Sequence, residues 1–394
     1  MTSPVGNPWL LTGASQLPHP APPCRPRGAP SRVARGALSE LPRRGTLAAV
    51  AVGVGATLAA DGVLRATQRG YAAAGPVLWP PRLTRETLRK ELVEGQIWGL
   101  EQVIAFFTVS ANIRMLVVRL SDGKLWVCGP IAPTQECLQL LDSLGPVGHL
   151  VVPGSALEHK SSLSDFSRRY PKASVWVSPG ASGALGDPPL GRVDGVLGEG
   201  TPPWATEIDF KVFYVAPPET AGTYAETAFF HKKTQTLLLT DAVLKVPDAA
   251  PEILASYGYD GEPRQLSDKE WYYKFLAFNF LELRGQDQED FQALAKAKGV
   301  VSPILRFTLY PICQAQAQRW VTAVAQWPFR RAVAGHLASP FPLTPQDFLD
   351  AFGFLRGKPS SWEPQRPQLV NLQKAAESLD GPEALQSSIW TPWR

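Results

Sequence analysis

The chain has 394 residues, 39 Lys and Arg against 35 Asp and Glu, 44% hydrophobic residues and 10% aromatics. That much apolar side chain can bury a sizeable core, which excludes disorder as the main state. Residues 1–75 hold eight arginines, no lysine and two acids, Glu40 and Asp61, a net of +6 that leaves −2 for residues 76–394. The basic excess thus sits at the N-terminal end, and the body lacks the electrostatic footprint of a nucleic-acid binder. Four cysteines do not make a disulfide scaffold at this length, and Cys128, Cys137 and Cys313 lack the CxxC spacing of a zinc ribbon.

Residues 1–45 contain nine prolines, six arginines and one acid, a composition that packs no core and matches organelle transit peptides. After Arg43-Arg44 comes an apolar run, Thr46 to Ala60, short of the ~20 residues a membrane helix needs. Twin arginine before a weakly hydrophobic stretch resembles a Tat-type signal, with Ala72-Ala73-Ala74 as a cleavage site. Residues 1–75 are therefore expected to be a plastid targeting region, delivering the body to the stroma or the thylakoid lumen. The alternatives are a single transit peptide ending near the apolar run or an uncleaved anchor. Membrane association is expected only through this segment.

From Pro76 the composition turns globular, without internal repeats. One large domain over 76–357 is the simplest division, with a peripheral tail over 358–394. Thr84 to Leu92 reads as a short amphipathic helix. Asn112 to Arg119 and Leu125 to Gly129 read as a hairpin closed by Ser121-Asp122-Gly123-Lys124. Pro133-Thr134 opens a helix whose leucines 138, 141 and 144 share a stripe, and Gly145-Pro146 closes it. A buried strand follows, His149 to Val152. Next come a loop from Pro153 to His159, a helix with Leu163, Phe166 and Tyr170 on one face, and a strand from Val175 to Ser178.

Residues 179–205, rich in Gly and Pro, read as a long surface loop with a short strand at Val193 to Leu197. A second β region begins at Phe210 to Val215, and Thr227 to His231 pairs with Thr236 to Thr240, leaving Asp241 at the end. The C-terminal half is helical. Ser267 with Glu270 makes a capping box before an aromatic run from Trp271, which reads as a helix buried against the sheets. Further helices are expected at Asp290 to Lys298 and over 312–327. The apolar stretch Arg331 to Gly335 leads to His336, and Thr344-Pro345 with Asp347 caps a last helix.

Two β-rich halves with helices outside make this an α/β protein, a four-layer αββα sandwich with extra C-terminal helices. The seven-residue loop Pro153-Gly154-Ser155-Ala156-Leu157-Glu158-His159, between a strand and a helix, resembles the first metal-binding segment of the metallo-β-lactamase fold, where the pattern is T-H-x-H-x-D-H. Leu237-Leu238-Leu239-Thr240-Asp241 resembles the later strand that ends in a bridging Asp, and Ala334-Gly335-His336 the segment bearing the final His. The stretches VVRLSDGKLWV, ALEHKSSLSDFSRRYPKASVWVSPG and FFHKKTQTLLLTD resemble an uncharacterised plant, algal and cyanobacterial branch of that superfamily, a domain of unknown function. The resemblance covers roughly residues 95–357.

Matched position by position, the resemblance implies a second-site ligand set of Glu158, His159, Asp241 and His336. It implies no first site, because Gly154 and Ala156 stand where that site needs histidines. His231, at the far end of the hairpin from Asp241, should lie on the order of 10 Å too far to replace them at about 3.3 Å per residue. Two imidazoles and two carboxylates suit one Zn, Fe or Mn ion, which would acidify a bound water. The competing expectation is metal-free: Glu158 and His159 as a helix-start pair, Asp241 capping a loop and His336 hydrogen-bonded at a strand end.

His149 is expected to be structural, Lys160 solvated and Cys128 buried in the core. No GxSxG elbow or phosphate-binding loop is present. The chain is thus expected to be a mononuclear metal-dependent hydrolase of unknown small-molecule substrate, or a redox enzyme if the ion is iron. The rival expectation is a non-catalytic binding or assembly protein in the plastid that keeps the fold without metal. Nucleic acid is not an expected partner.

Overall fold

A computed structural model describes residues 78–79, 85–106, 109–182, 188–215, 223–255, 288–302, 305–306 and 309–358. Its strands are β1 (Leu78–Trp79), β2 (Leu88–Val93), β3 (Ile97–Phe106), β4 (Val109–Arg119), β5 (Leu125–Cys128), β6 (Val147–Val152), β7 (Ser174–Val177), β8 (Gly195–Val196), β9 (Ile208–Val215), β10 (Tyr224–His231), β11 (Thr236–Leu238), β12 (Arg331–Val333) and β13 (Phe341–Pro342). The α-helices are α1 (Gln135–Asp142), α2 (Leu157–Lys160), α3 (Leu163–Arg169), α4 (Glu252–Ala255), α5 (Gln288–Lys296), α6 (Gln314–Val324) and α7 (Pro345–Ala351).

The strands form two sheets. One runs β1-β3-β4-β5-β6-β7-β8, with β2 also paired to β3; the other runs β13-β12-β11-β10-β9. Within the first sheet β3, β4 and β5 are antiparallel, while β5 through β8 are parallel, with α1 in the β5–β6 crossover and α2 and α3 in the β6–β7 crossover.

Period-two alternation sorts the side chains into layers. Leu125, Val127, Leu150 and Val152 face outward from the first sheet and pack with Leu141 of α1 and Leu163 and Phe166 of α3. Trp126, Cys128 and Val151, the intervening residues, face inward and meet Phe229, Leu238 and Val333 of the second sheet. The other face of that sheet, with Ala228, Phe230, Leu237 and Ala332, packs on Trp320 and Val321 of α6 and Phe348 of α7. Helix, sheet, sheet, helix is therefore the order of layers, as the sequence predicts.

The hairpin closes as expected, with Gly123 at φ +81 in its turn. Thr134 caps α1 and Thr344 caps α7, the latter with a full capping box through Asp347. Cys128, Cys137 and Cys313 are buried free thiols; burial pushes Cys137 and Cys313 up to about 12.

Two readings need correction. The expected helix from Thr84 to Leu92 is instead, from Leu88 on, strand β2, paired antiparallel to β3 from Leu88↔Glu101 to Val93↔Ile97, and Arg85 to Thr87 before it are not helical. Leucines 88 and 92 stand four apart, a spacing that fits one face of a helix and one face of a strand equally, and the neighbouring strand decides. Strand β3 itself is not anticipated, because Glu101 and Gln102 interrupt its apolar run. Both are fully buried, Glu101 on Arg114 and Gln102 between Thr87 and Ala132. The capping box at Ser267 and the aromatic run from Trp271 lie outside the described residues, as do residues 1–77 and the tail beyond Lys358.

Candidate metal centre

Strands β11 and β12 are parallel, in register Leu238↔Val333. Leu239 N–H donates to Val333 O at 2.9 Å and Gly335 N–H to Thr240 O at 3.1 Å, so the pairing runs past both strand ends. Asp241 and His336 stand the same three residues beyond that register pair, and thus emerge side by side past the C-terminal ends of two neighbouring interior strands of the second sheet. His159 reaches them from the first sheet, where β6 ends and the chain turns through Pro153–Ser155 into the single turn of α2. The expected loop therefore includes a helical turn, and that turn carries Glu158 and His159.

The segment before α2 is bound to β10. Ser155 N–H donates to Ala225 O at 3.0 Å, Thr227 N–H to Pro153 O at 2.7 Å, and Gly154 bridges Glu226. A Cβ on residue 154 would lie 2.3 Å from Ala225 O, so no side chain fits there. The missing first-site histidine at Gly154 is thus tied to a backbone contact between the two sheets. His159 sits in a similar cradle: a Cβ on Gly335 would lie 2.8 Å from its Cε1, and one on Gly129 3.3 Å from its Nδ1.

Glu158, His159, Asp241 and His336 each offer one ligand atom, all within 4.8 Å of one another. The two Nε2 atoms are 3.2 Å apart, with Asp241 Oδ2 3.5 Å from His159 Nε2 and Asp241 Oδ1 3.2 Å from His336 Nε2. His159 and His336 are fully buried, and Asp241 has 23% of its side chain exposed. Nδ1 of His336 donates to Asn112 O at 2.6 Å. A carbonyl only accepts, so in the neutral ring Nε2 carries the free lone pair that faces the group. Glu158 Oε2 is buried without a hydrogen-bond partner.

Burial raises Glu158 above the usual carboxylate range. Burial alone would raise Asp241 as well, but the two adjacent imidazoles outweigh it and hold its carboxyl well below that range. His159 is the converse case, with burial working against the charged ring and the Asp241 carboxylate outweighing it, so its value rises. An orphaned carboxylate oxygen, an imidazole lone pair aimed at its neighbours and a glycine cradle fit a set of nitrogen and oxygen ligands for a divalent ion.

The other two described histidines, His231 and His149, lie elsewhere. His231 pairs with Thr236 across the hairpin and bonds Thr234, and His149 bonds Ser174. Lys160 corrects an expectation: it is 2% exposed, not solvated, because α2 lies against the sheets. Sequence reasoning also passed over Glu226. Its Oε1 accepts from the backbone N–H groups of Thr240, Asp241 and Ala242, each at 3.0 Å, and its Oε2 from the Tyr224 hydroxyl at 3.1 Å. One buried carboxylate thereby shapes the segment bearing Asp241. The visible signal was the one acid in a mostly apolar strand, YAETAFFH.

No curated protein matches the sequence. Among solved structures the chain is similar to a fragment of diflavin flavoprotein A 5 from Nostoc (11% identity, 75% of this chain and 96% of that one, TM-score 0.39). It is also similar to a metallo-beta-lactamase from Pontibacter korlensis (12%, 69% and 100%, 0.34) and to the flavodiiron protein from Giardia intestinalis (11%, 69% and 60%, 0.40). A family profile described as a domain of unknown function, DUF4336, matches residues 94–274 and 262–354. These matches span well over half of the 394 residues, so the chain belongs to the DUF4336 family.

Proposed function

We propose that the protein binds one divalent metal ion through Glu158, His159, Asp241 and His336 and is a metal-dependent hydrolase. The convergence of two buried imidazole nitrogens and an aspartate at 3.2 to 3.5 Å carries this reading. The ion, when bound, supplies a Lewis acid that acidifies water. His336, oriented by its Nδ1 hydrogen bond, and His159, held between Gly129 and Gly335, present nitrogen ligands without reorganisation. Asp241 neutralises charge and, partly exposed, marks the side from which water and substrate arrive. Glu158, whose Oε2 has no hydrogen-bond partner, would offer the ion a carboxylate oxygen once deprotonated. Esters, thioesters and phosphoesters are the substrate classes that the sequence resemblance implies. The arginine-rich, acid-poor residues 1–75 support action in a plastid, and the quoted sequence stretches support a place in the plant, algal and cyanobacterial branch.

The test is bound metal per chain, by elemental mass spectrometry, on the full chain purified without a metal-binding tag. About one Zn, Fe or Mn per chain, lost in both His159→Ala and His336→Ala, is expected. Metal far below one per chain after reconstitution would remove the hydrolase reading. A second reading is favoured by one observation: the two Asp241 oxygens face both Nε2 atoms at 3.2 to 3.5 Å, so without an ion the carboxylate can accept from each ring that carries a proton there. A non-catalytic binding or assembly protein would then retain the fold, and the same two substitutions would change stability and no metal content.

A further inference from the structure

The segment that carries His336 is held by side chains of β4 that do not belong to the ligand group. Asn112 grips Leu337 twice, with Oδ1 accepting from its N–H at 2.8 Å and Nδ2 donating to its carbonyl at 3.2 Å. Leu337 stands at φ +55, a conformation that a leucine keeps only where its surroundings impose it. Arg114, 1% exposed, donates to Leu337 O at 2.6 Å and to Ala334 O, so one guanidinium ties the chain on both sides of Gly335 and His336. Its own backbone N–H donates to Gly335 O at 2.7 Å.

The guanidinium is fixed in turn. Glu101 Oε1 accepts from Arg114 Nε at 2.9 Å and Nη2 at 2.7 Å, and both side chains are 1% exposed. Lys90 lies 3.8 Å from the other Glu101 oxygen, which balances the buried carboxylate further. Gly99, on β3, leaves space for the arginine stem, since a Cβ there would lie 2.7 Å from Arg114 Cδ. A pair this buried costs desolvation that its mutual attraction barely offsets, so stability alone does not explain its presence. Its donors are spent on the carbonyls around His336.

We propose that Asn112 and Arg114 are positioning residues that hold His336 ready for the ion, so that metal affinity depends on side chains the ion never touches. This rests on the single-ion reading above. Outer-shell partners of metal ligands commonly change affinity by about 10- to 100-fold.

The experiment measures Co²⁺ binding to the full chain, by competition with a chromophoric chelator and by the visible d–d band, together with the metal-free melting temperature. The variants are Asn112→Ala, Gly99→Ala, His336→Ala and Leu141→Ala. Asn112→Ala removes its two bonds to Leu337 while keeping both Glu101 and Arg114, and Gly99→Ala displaces the guanidinium without deleting a charge, so the test does not hang on one variant folding. Leu141, on the buried face of α1, controls for loss of stability alone.

One Co²⁺ per wild-type chain is expected, with the dissociation constant raised ~10-fold or more and the d–d band altered in Asn112→Ala and Gly99→Ala. Leu141→Ala should melt earlier with the dissociation constant unchanged. If the wild type binds Co²⁺ and loses it in His336→Ala, yet Asn112→Ala and Gly99→Ala bind as tightly as the wild type or no more weakly than Leu141→Ala, the positioning role is overturned and the metal site stands. If the wild type binds no more Co²⁺ than His336→Ala, both are overturned.

Discussion

His231 is buried between β10 and the turn, Nδ1 2.8 Å from the Thr234 hydroxyl and Nε2 without a partner. Burial pushes its imidazole down to about 4 from the ordinary 6.5. The unfolded chain takes up that proton as the pH falls through 6.5, while the folded chain refuses it until about 4. Stability that is complete above pH 6.5 is therefore lost progressively down to pH 4. His231→Asn should flatten this dependence, so urea midpoints at pH 7 and pH 4.5 should differ less in the variant than in the wild type. Gly154 gives a second prediction, since its missing Cβ is what lets the strand-end segment meet Ala225 O. Gly154→Ala should cost about 1–3 kcal/mol by urea denaturation. A neutral result there would mean that the contact between the sheets relaxes freely.

Elements bounded by local chemistry were the ones legible in sequence. The capping box of α7, Thr344 with Asp347, forms as its spacing predicts, with Thr344 Oγ1 accepting from Asp347 N–H. Thr344→Ala should cost about 1 kcal/mol, read as a lowered urea midpoint at unchanged slope. The Asp-Gly hairpin and the leucine stripe of α1 were readable for the same reason, because turn residues and helical spacing act within a few positions. Strands β2 and β3 were not. Their pairing is with each other and with β4, and buried Glu101 and Gln102 conceal β3 until their partners Arg114 and Ala132 are in place.

At the scale of the molecule, the two sheets meet through an aromatic cluster. Trp126 of β5 packs edge-on against Trp204 and Phe229, with ring centroids at 5.6 and 5.0 Å. Trp126→Ala should cost about 3–5 kcal/mol, measured by urea denaturation. A loss near 1 kcal/mol would mean that the layers close over the gap. The same packing sets the separation between α2, from the first sheet, and the ends of β11 and β12, from the second. His159 and His336, 177 residues apart in sequence, face each other at 3.2 Å.

The sequence by itself determined the residue types, the alternation that sorts side chains into layers, and the local caps and turns, while the four candidate ligands were implied by a resemblance carried on three separate segments. The alternation, caps and turns depend on period and short spacing, which a linear chain displays. Only the tertiary structure decided that Asp241 and His336 emerge in register from parallel strands, that Gly154 is filled by a backbone carbonyl, and that Lys160 is buried. It also decided that Glu226, Asn112 and Arg114 brace the segments around the site. A buried polar residue carries no signature of its partner in sequence, because the partner is supplied by a different strand and becomes its neighbour only when the sheets pack.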